Sequence, residues 1–164
     1  EALMIRESTK RVTMIDPNVR PSFIKDEESY RARIDRMFRH ADIVKLSDED
    51  LAWLMGGKDS EAMAREILHM GARLVCITKG AEGAVGYTNQ HVLEVPANKV
   101  EVVDTVGAGD AFLSVAAPLV QKGTPMEITG MIGNAVGAMK VGIVGHRTSV
   151  QRVPLMKFLT AMLK

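Results

Sequence analysis

The stretch VVDTVGAGDAF, residues 102–112, decides the fold of this 164-residue chain and indicates its chemistry. An apolar segment ends at Asp104, and the small residues of positions 107–109 follow. Residues with helical spacing begin after Asp110. Because glycine permits tight turns and a close approach of backbone to ligand, we predict a strand ending near residue 103, a sharp bend, and a helix from about residue 111 to 122.

The predicted bend brings two chemical features to one point. Free N–H groups at a helix start point outward, and the helix dipole favours an anion there. Asp110 lies in the same first turn, where its carboxylate could orient and deprotonate a hydroxyl group. Phosphoryl transfer uses both features together. A simpler interpretation stays open, in which Asp110 caps the helix and the glycines only form a turn.

Two common nucleotide motifs are excluded by the sequence. No Gly-x-x-x-x-Gly-Lys-Ser/Thr segment occurs, so the bend is not a Walker loop. Phe112 occupies the position of the third glycine of a dinucleotide fingerprint, which excludes that motif as well.

Strand and helix patterns alternate along the chain. This alternation predicts one α/β domain over residues 1–164, with a mainly parallel sheet flanked by helices. The expected strands lie near residues 12–15, 43–46 and 73–78, with a hairpin over 84–95. The expected helices lie near residues 26–40, 47–55, 60–70, 125–141 and 154–163.

The composition is that of an ordinary globular protein, with 46% hydrophobic and 25% charged residues. Its net charge of +1 gives no reason to expect a nucleic-acid or membrane partner. The single cysteine, Cys76, excludes an internal disulfide and agrees with a reducing cytoplasm.

The segment DTVGAGDAF, residues 104–112, closely resembles the second signature of the ribokinase-like (PfkB) carbohydrate kinases. DPNVR at 16–20 and ADIVKLSDED at 41–50 resemble segments of fructokinase-type members, and TKGAEG at 78–83 resembles the nucleotide-phosphate turn. The resemblance extends from about residue 12 to residue 149. It implies a three-layer ribokinase-like fold that lacks here its N-terminal part and lid. We therefore expect the C-terminal ATP-binding and catalytic portion of a sugar kinase, inactive by itself.

The resemblance also implies roles for individual residues. Asp110 would be the general base, and the backbone amides of Gly107, Ala108 and Gly109 would form the anion hole. Residues expected to contact the nucleotide are Thr78, Lys79, Gly80, Gly83, Thr105, Asn134 and Gly137. Lys79 could equally be a solvated turn lysine.

By the same resemblance, the sugar would be bound by Asp16, Asn18 and Arg20 together with Asp110. Arg20 could instead pair with a nearby acid. A monovalent cation would be held by the Asp104 side chain and by Val106, Lys140, Gly145 and Ser149. Asp104 could alternatively only cap the turn.

The chain departs from the family pattern at the segment expected to bind magnesium. The family usually has Asn-x-x-Glu where this chain has Ser47 and Asp50. Asp50 could hold a metal-bound water, whereas Ser47 fits equally well as a helix cap. Mg²⁺ itself is expected on the ATP phosphates.

The implied activity is ATP-dependent phosphorylation of a sugar hydroxyl, fructokinase-like, with ATP and Mg²⁺ as cofactors and K⁺ as a further candidate. Alternative substrates are 2-keto-3-deoxygluconate, another sugar acid, a heptose, a vitamin or a nucleoside. A second class of function is a nucleotide-binding module without catalysis. A homodimer is expected only through the absent lid. The segment at 142–149 departs from the ending expected of a fructokinase, which leaves the sugar open.

Overall fold

The computed structural model describes residues 1–56, 59–98, 100–143 and 149–163. The chain divides into two compact units, each presented separately below. Unit 1 comprises residues 1–80 and 85–92, and unit 2 comprises residues 81–84 and 93–164.

Unit 1 contains the parallel part of the sheet and the helices that cover it. Its helices are α1 (Ala2–Glu7), α2 (Glu27–Phe38), α3 (Asp48–Met55) and α4 (Ser60–Met70), with a 3₁₀ turn at Pro21–Phe23. Its strands are β1 (Met14–Ile15), β2 (Ile43–Ser47) and β3 (Leu74–Thr78). Two further strands, β4 (Ala84–Tyr87) and β5 (Val92–Val95), follow in the chain, and the sheet order is β1-β2-β3-β4-β5.

The central strands pair in parallel. Ile43 lies opposite Leu74, and the register continues to Ser47 opposite Thr78. Both strands are buried over their first four residues, as expected of a parallel sheet covered on both faces. The predicted α/β class with a mainly parallel sheet is therefore confirmed.

The core of unit 1 lies between this sheet and its helices. Met63 and Ile67 of α4 are fully buried, as are Val44, Leu46 and Ile77 on the strands. The apolar positions of α4 recur at helical spacing, so one face of the helix packs on the sheet while its other face remains in solvent.

Arg31 joins α2 to the end of α3. Its guanidinium lies 4.0 Å from the centre of the Trp53 ring. It also donates to the Trp53 carbonyl at 2.7 Å and to the Leu54 carbonyl. A cation at a helix C-terminus satisfies carbonyls that have no partner within the helix. The arginine thus fixes the C-terminal end of α3.

Unit 2 is built on helices α5 (Ala108–Gln121), α6 (Met126–Val141) and α7 (Arg152–Met162). The α5 and α6 helices make the main contact of the unit, and α7 packs on α6. A Cβ atom added to Gly133 would lie 2.6 Å from the Phe112 ring. Glycine at this position therefore allows the ring to pack directly against the α6 backbone.

Two predicted boundaries were wrong. No strand forms at residues 101–103. Instead the amides of Val103 and Asp104 both donate to the Val141 carbonyl at the end of α6, at 2.8 and 3.0 Å. Helix α5 begins at Ala108 rather than near residue 111, because Gly107 alone supplies the left-handed conformation of the bend. Ala108 and Gly109 are therefore helical.

None of the helices in the described ranges is both long and apolar enough to span a bilayer.

The α5–α6 contact gives a stability prediction. We expect Gly133→Ala to lower the free energy of unfolding by about 1–3 kcal/mol, because the added methyl overlaps the Phe112 ring. Gly137→Ala in the same helix is the control. Its added Cβ meets only the Ala108 carbonyl at 3.6 Å, so helix propensity should raise stability by up to about 1 kcal/mol. Urea denaturation of both variants measures the difference, and equal losses would contradict the packing argument.

The buried thiol of Cys76 gives a second prediction. Burial raises the pKa of this thiol to about 12; Lys45 opposes the rise and Asp16 adds to it. Because only the thiolate reacts, and its fraction at pH 8 is then minute, we expect the native protein to react with a disulfide reagent at least about a hundredfold more slowly than the urea-unfolded chain. Similar rates would show that Cys76 is accessible in the native state.

Candidate active site

The bend before α5 is made by Gly107. Its φ of 81° and ψ of 6° are left-handed, a conformation that glycine adopts without a steric penalty. It occupies the N-cap position of α5, and no side chain caps the helix there. The first turn therefore depends on something other than a side chain to satisfy its N–H groups.

Three amides at the bend are available to a ligand. Within the described residues, no hydrogen bond is made by the amides of Gly107, Gly109 and Asp110. The Ala108 amide, by contrast, donates to the Thr105 carbonyl at 3.3 Å. Of the three amides expected to form an anion hole, that of Ala108 is therefore engaged, whereas the Asp110 amide, which was not among them, is open.

Asp110 lies in the first turn of α5 and is exposed to solvent. Its carboxylate makes no hydrogen bond or ion pair within the part of the chain that the structure describes. The sequence left open that Asp110 caps the helix, and that alternative is wrong, because no side-chain cap is formed. An acid that neither caps nor pairs is available to a substrate hydroxyl.

The residues before the bend are held by Asp104. Its Oδ1 accepts from the Val106 amide at 2.9 Å, and its own amide is bound by the Val141 carbonyl. The interpretation of Asp104 as a residue that caps this turn is confirmed. The contacts join residues 103–106 to the C-terminal end of α6.

Lys140 makes a contact that the sequence analysis missed. Its side chain is buried, and its Nζ donates to the Val106 carbonyl at 3.0 Å. Its own carbonyl, which was expected to bind a cation, accepts from the Ile143 amide at 3.1 Å. Only the carbonyl was considered from the sequence, although a lysine near the end of an otherwise apolar helix was a visible signal.

A second surface of unit 2 carries the residues expected beside the nucleotide. Asn134 donates through its side-chain amide to the Pro96 carbonyl. Gly137 lies one turn further along α6, close to the Ala108 carbonyl. Gly83 has a φ of 102° and lies so close to residues 95–97 that an added Cβ would be 2.1 Å from the Val95 carbonyl. These predicted residues therefore occur along one connected stretch of unit 2.

Three further residues were expected to bind the cation or the nucleotide. Thr105 accepts from Ala108 through its carbonyl. The Ser149 hydroxyl accepts from the Gln151 side chain at 2.9 Å. Gly145 lies outside the described residues.

Unit 1 has its own cluster of polar residues at the carboxyl ends of the strands. The Lys45 ammonium pairs with Asp16 Oδ2 at 2.8 Å, with only 10% and 15% of the two side chains exposed. The other Asp16 oxygen accepts from the Asn18 amide at 3.2 Å, and Asn18 itself has a φ of 44°. The Asp16–Asn18 turn is thus fixed by a buried lysine. Lys45 was not singled out from the sequence, although a lysine inside an apolar strand was a visible signal.

Asp50 holds the next residues of this turn. Its Oδ1 accepts from the Val19 amide at 2.8 Å, and its Oδ2 accepts from the Ser47 amide at 3.2 Å. Ser47 and Asp50 form a reciprocal capping box at the start of α3, as the helix-cap interpretation expected. Both oxygens of the expected magnesium residue therefore already accept backbone N–H groups.

The other predicted residues of unit 1 lie at the same strand ends. Arg20 donates to the Val19 carbonyl at 2.9 Å, and the alternative pairing of Arg20 with an acid is not seen among the described residues. Thr78 ends β3, and its hydroxyl donates to the Leu46 carbonyl at 3.4 Å. Lys79 is half-buried, and Gly80 has a φ of 52°.

Among the described residues, no group of three or more His, Cys, Asp or Glu side chains could hold a metal ion.

Comparison with known proteins gives consistent matches. The family model described as pfkB family carbohydrate kinase matches residues 2–152. A fructokinase from Rhizobium leguminosarum bv. trifolii is 57% identical over 112 residues, which cover 68% of this chain and 34% of that protein.

Solved structures agree with the expected fold. A double mutant of the Vibrio cholerae O395 fructokinase, in a form bound to fructose, ADP and a potassium ion, has a TM-score of 0.83 and 26% identity over 96% of this chain and 54% of its own. The aminoimidazole riboside kinase of Salmonella enterica, complexed with aminoimidazole riboside and an ATP analogue, has a TM-score of 0.78 and 28% identity over 89% of this chain and 51% of its own. The chain thus spans about a third to a half of the length of the relatives it matches. The ribokinase-like fold is confirmed.

The Lys45–Asp16 pair gives a prediction for unit 1. We expect Lys45→Met to lower the free energy of unfolding by about 3 kcal/mol, because it leaves the largely buried Asp16 carboxylate without its counter-charge. Arg39→Met, which breaks an exposed ion pair with Asp35, is the control and should cost less than about 1 kcal/mol. Chemical denaturation measures both losses. If Lys45→Met costs no more than the control, the pair does not stabilise the turn.

Proposed function

The chain belongs to the pfkB family of carbohydrate kinases, and from this premise we propose that it carries the catalytic centre of an ATP-dependent sugar kinase. The reaction transfers the γ-phosphoryl group of ATP to a sugar hydroxyl. The proposed acceptor is fructose or a similar ketose, supported by the 57% identity to a fructokinase.

One observation carries this proposal. An uncapped helix start presents the open amides of Gly107, Gly109 and Asp110, and an exposed carboxylate without a protein partner lies in the same turn. A first turn without a capping side chain is destabilising unless water or a ligand satisfies its donors. The lack of a capping side chain therefore lowers the stability of this helix start, and a role in phosphate binding would explain it.

The chemistry follows from these positions. The sugar oxygen attacks the γ-phosphorus, a new O–P bond forms, and the bond from the γ-phosphorus to the bridging oxygen breaks as ADP leaves. The hydroxyl proton passes to the Asp110 carboxylate. The three open amides stabilise the negative charge on the transferred phosphoryl oxygens, because they are fixed before the reaction and need no reorganisation.

The nucleotide side of the proposal is supported by the surface of unit 2. Gly137 has no side chain, and a Cβ added to it would lie 3.6 Å from the Ala108 carbonyl in the first turn of α5, so a flat base could approach the α6 backbone here. Asn134 would have to exchange its contact with the Pro96 carbonyl to contact adenine directly. Thr78, Lys79, Gly80, Gly83 and Thr105 are retained as proposed phosphate contacts.

The sugar side of the proposal rests on the turn of residues 16–20. Asp16 is oriented by Lys45, and Asn18 projects from a strained left-handed position that the surrounding hydrogen bonds maintain. Arg20 would supply a further donor to a hydroxyl or a phosphate.

Magnesium would enter as the ATP complex, where it neutralises charge on the phosphates. The carboxylate of Asp50 fits a metal site poorly, since both oxygens already accept backbone amides. If Asp50 contributes, it would do so through a bound water. A cytoplasmic location agrees with the single cysteine.

The proposal concerns the full-length protein that carries this chain. Because the relatives are about twice as long, the remainder of the sugar pocket and any dimer contact would come from sequence beyond these residues. The chain by itself is expected to have little turnover.

The first test replaces the proposed base. We expect Asp110→Asn in the full-length protein to lower kcat by at least about a thousandfold, because the amide cannot accept the hydroxyl proton. Binding of ADP, measured by calorimetry, should change by less than about fivefold, because the open amides remain. Glu127→Gln, an exposed acid in the first turn of α6, is the matched control and should leave kcat unchanged.

Nearly unchanged turnover in Asp110→Asn would remove this residue from catalysis. ATP binding by the wild-type protein without sugar-dependent ADP release would instead favour the alternative, a nucleotide-binding module.

The second test identifies the acceptor. We expect ADP release, followed over fructose, 2-keto-3-deoxygluconate, a heptose, ribose and a nucleoside, to give its highest kcat/KM with fructose. The aminoimidazole riboside kinase among the structural matches is the reason to include the nucleoside. A preference for any other compound would replace fructose as the substrate while leaving the kinase assignment intact.

A further inference from the structure

We propose that the Lys140 ammonium is a built-in substitute for the monovalent cation at the phosphate-binding bend, and that the enzyme therefore needs no potassium. The inference rests on the proposed kinase function and concerns how this protein orders its catalytic loop. It starts from a disagreement between the expected cation ligands and the contacts in the structure.

Two of the expected ligands, the carbonyls of Val106 and Lys140, already accept hydrogen bonds from the protein. The Val106 carbonyl, one of the proposed ligands, already accepts from Lys140 Nζ at 3.0 Å. A cation bound to the same carbonyl would have to come close to this ammonium. Two like charges that share one acceptor repel each other.

Lys140 is buried, which is unusual for a lysine. Only 5% of the residue is exposed, and lysines are rarely buried unless their charge is satisfied. Its ammonium faces the loop that leads into the bend, and an apolar residue at this position would avoid the desolvation cost. The buried charge therefore requires a compensating role.

The surroundings compensate for the charge in the way that they would for a bound cation. Lys140 lies in the last turn of α6, where the helix dipole favours positive charge. The Val141 carbonyl at the same helix end binds the amides of Val103 and Asp104. The ammonium thus completes a link between the end of α6 and the loop of residues 103–106.

This link has the same structural effect as a cation. Val106 is fixed from both sides, because its amide donates to Asp104 and its carbonyl accepts from Lys140. Gly107, the next residue, makes the left-handed turn that opens the amides. A lysine covalently attached to the helix achieves this order at any salt composition, whereas a free ion must be present in sufficient concentration.

The first experiment compares cations with the wild-type full-length protein. Thermal unfolding without substrates is measured in 100 mM KCl, NaCl and tetramethylammonium chloride at equal ionic strength. We expect midpoints within about 1 °C of each other, because the Lys140 ammonium takes the place of the ion. A rise in KCl alone of more than about 3 °C would indicate a specific potassium site and overturn the proposal.

The same three salts are then compared for turnover of the sugar. We expect values of kcat within about twofold. A potassium-specific increase of about tenfold or more would also overturn the proposal. An enzyme inactive in every salt would contradict the proposed function, while the unfolding midpoints would still decide the role of Lys140.

The second experiment removes the ammonium in two ways. Lys140→Ala leaves space at the Val106 carbonyl, whereas Lys140→Met fills that space with an uncharged chain of similar length. We expect both to lose at least about tenfold in kcat in tetramethylammonium chloride. Added potassium or methylammonium should restore activity at least about fivefold in Lys140→Ala and not in Lys140→Met.

Lys122→Ala is the control, because Lys122 is exposed at the end of α5 in the same unit and is expected to leave kcat and its salt dependence unchanged. Equal, salt-independent losses in both folded Lys140 variants would show that the residue only fills space, and would overturn the proposal. If neither variant folds, the wild-type comparison of salts decides the question alone.

Discussion

The structure of unit 2 depends on the left-handed turn at Gly107. This one residue ends an irregular segment and begins a 14-residue helix, and no side chain caps the junction. Leaving these amides without a partner costs free energy, and the fold tolerates this because the residues on either side are held by other contacts. Asp104 and Lys140 fix the preceding loop, and the α5–α6 contact fixes the helix itself. For the proposed phosphate site, this arrangement would keep the donors in position before the ligand arrives, as electrostatic preorganisation requires.

Unit 1 solves a related problem by different means. The turn of residues 16–20, at the strand ends, is held by side chains rather than by regular backbone hydrogen bonds. Asp50 therefore serves two segments at once, capping α3 with one oxygen and binding the Val19 amide with the other. Lys45 plays the complementary part for Asp16. Both residues are largely buried, so their hydrogen bonds are worth more than the same bonds would be in water.

Most of the secondary structure could be predicted from the sequence, because the periodicity of the apolar residues is strong. Strands β2 and β3 and helices α2, α3 and α4 lie where the pattern indicated, since each buries a continuous apolar face. The predicted strand at 101–103 failed for a tertiary reason. Its valines are exposed, and the amides of Val103 and Asp104 find their acceptor on α6 instead. Local pattern cannot reveal an acceptor that lies 38 residues further along the chain.

The location of the glycine bend before α5 was predictable because its motif is local, whereas the hydrogen bonding of each amide was not. Whether Ala108 or Asp110 offers its N–H depends on where the helix begins, and such boundaries are the least predictable feature of a sequence. The roles of Lys45 and Lys140 could not be predicted either, because the role of a charged residue in an apolar segment depends on its partner in the fold. Glycine 83 illustrates a further consequence. A Cβ added to Gly83 would lie within 2.8 Å of backbone atoms of residues 95–97, so that no side chain fits without a shift of the backbone. This position has a single permitted amino acid, and mutational libraries aimed at altered nucleotide preference should leave it fixed and vary its neighbours.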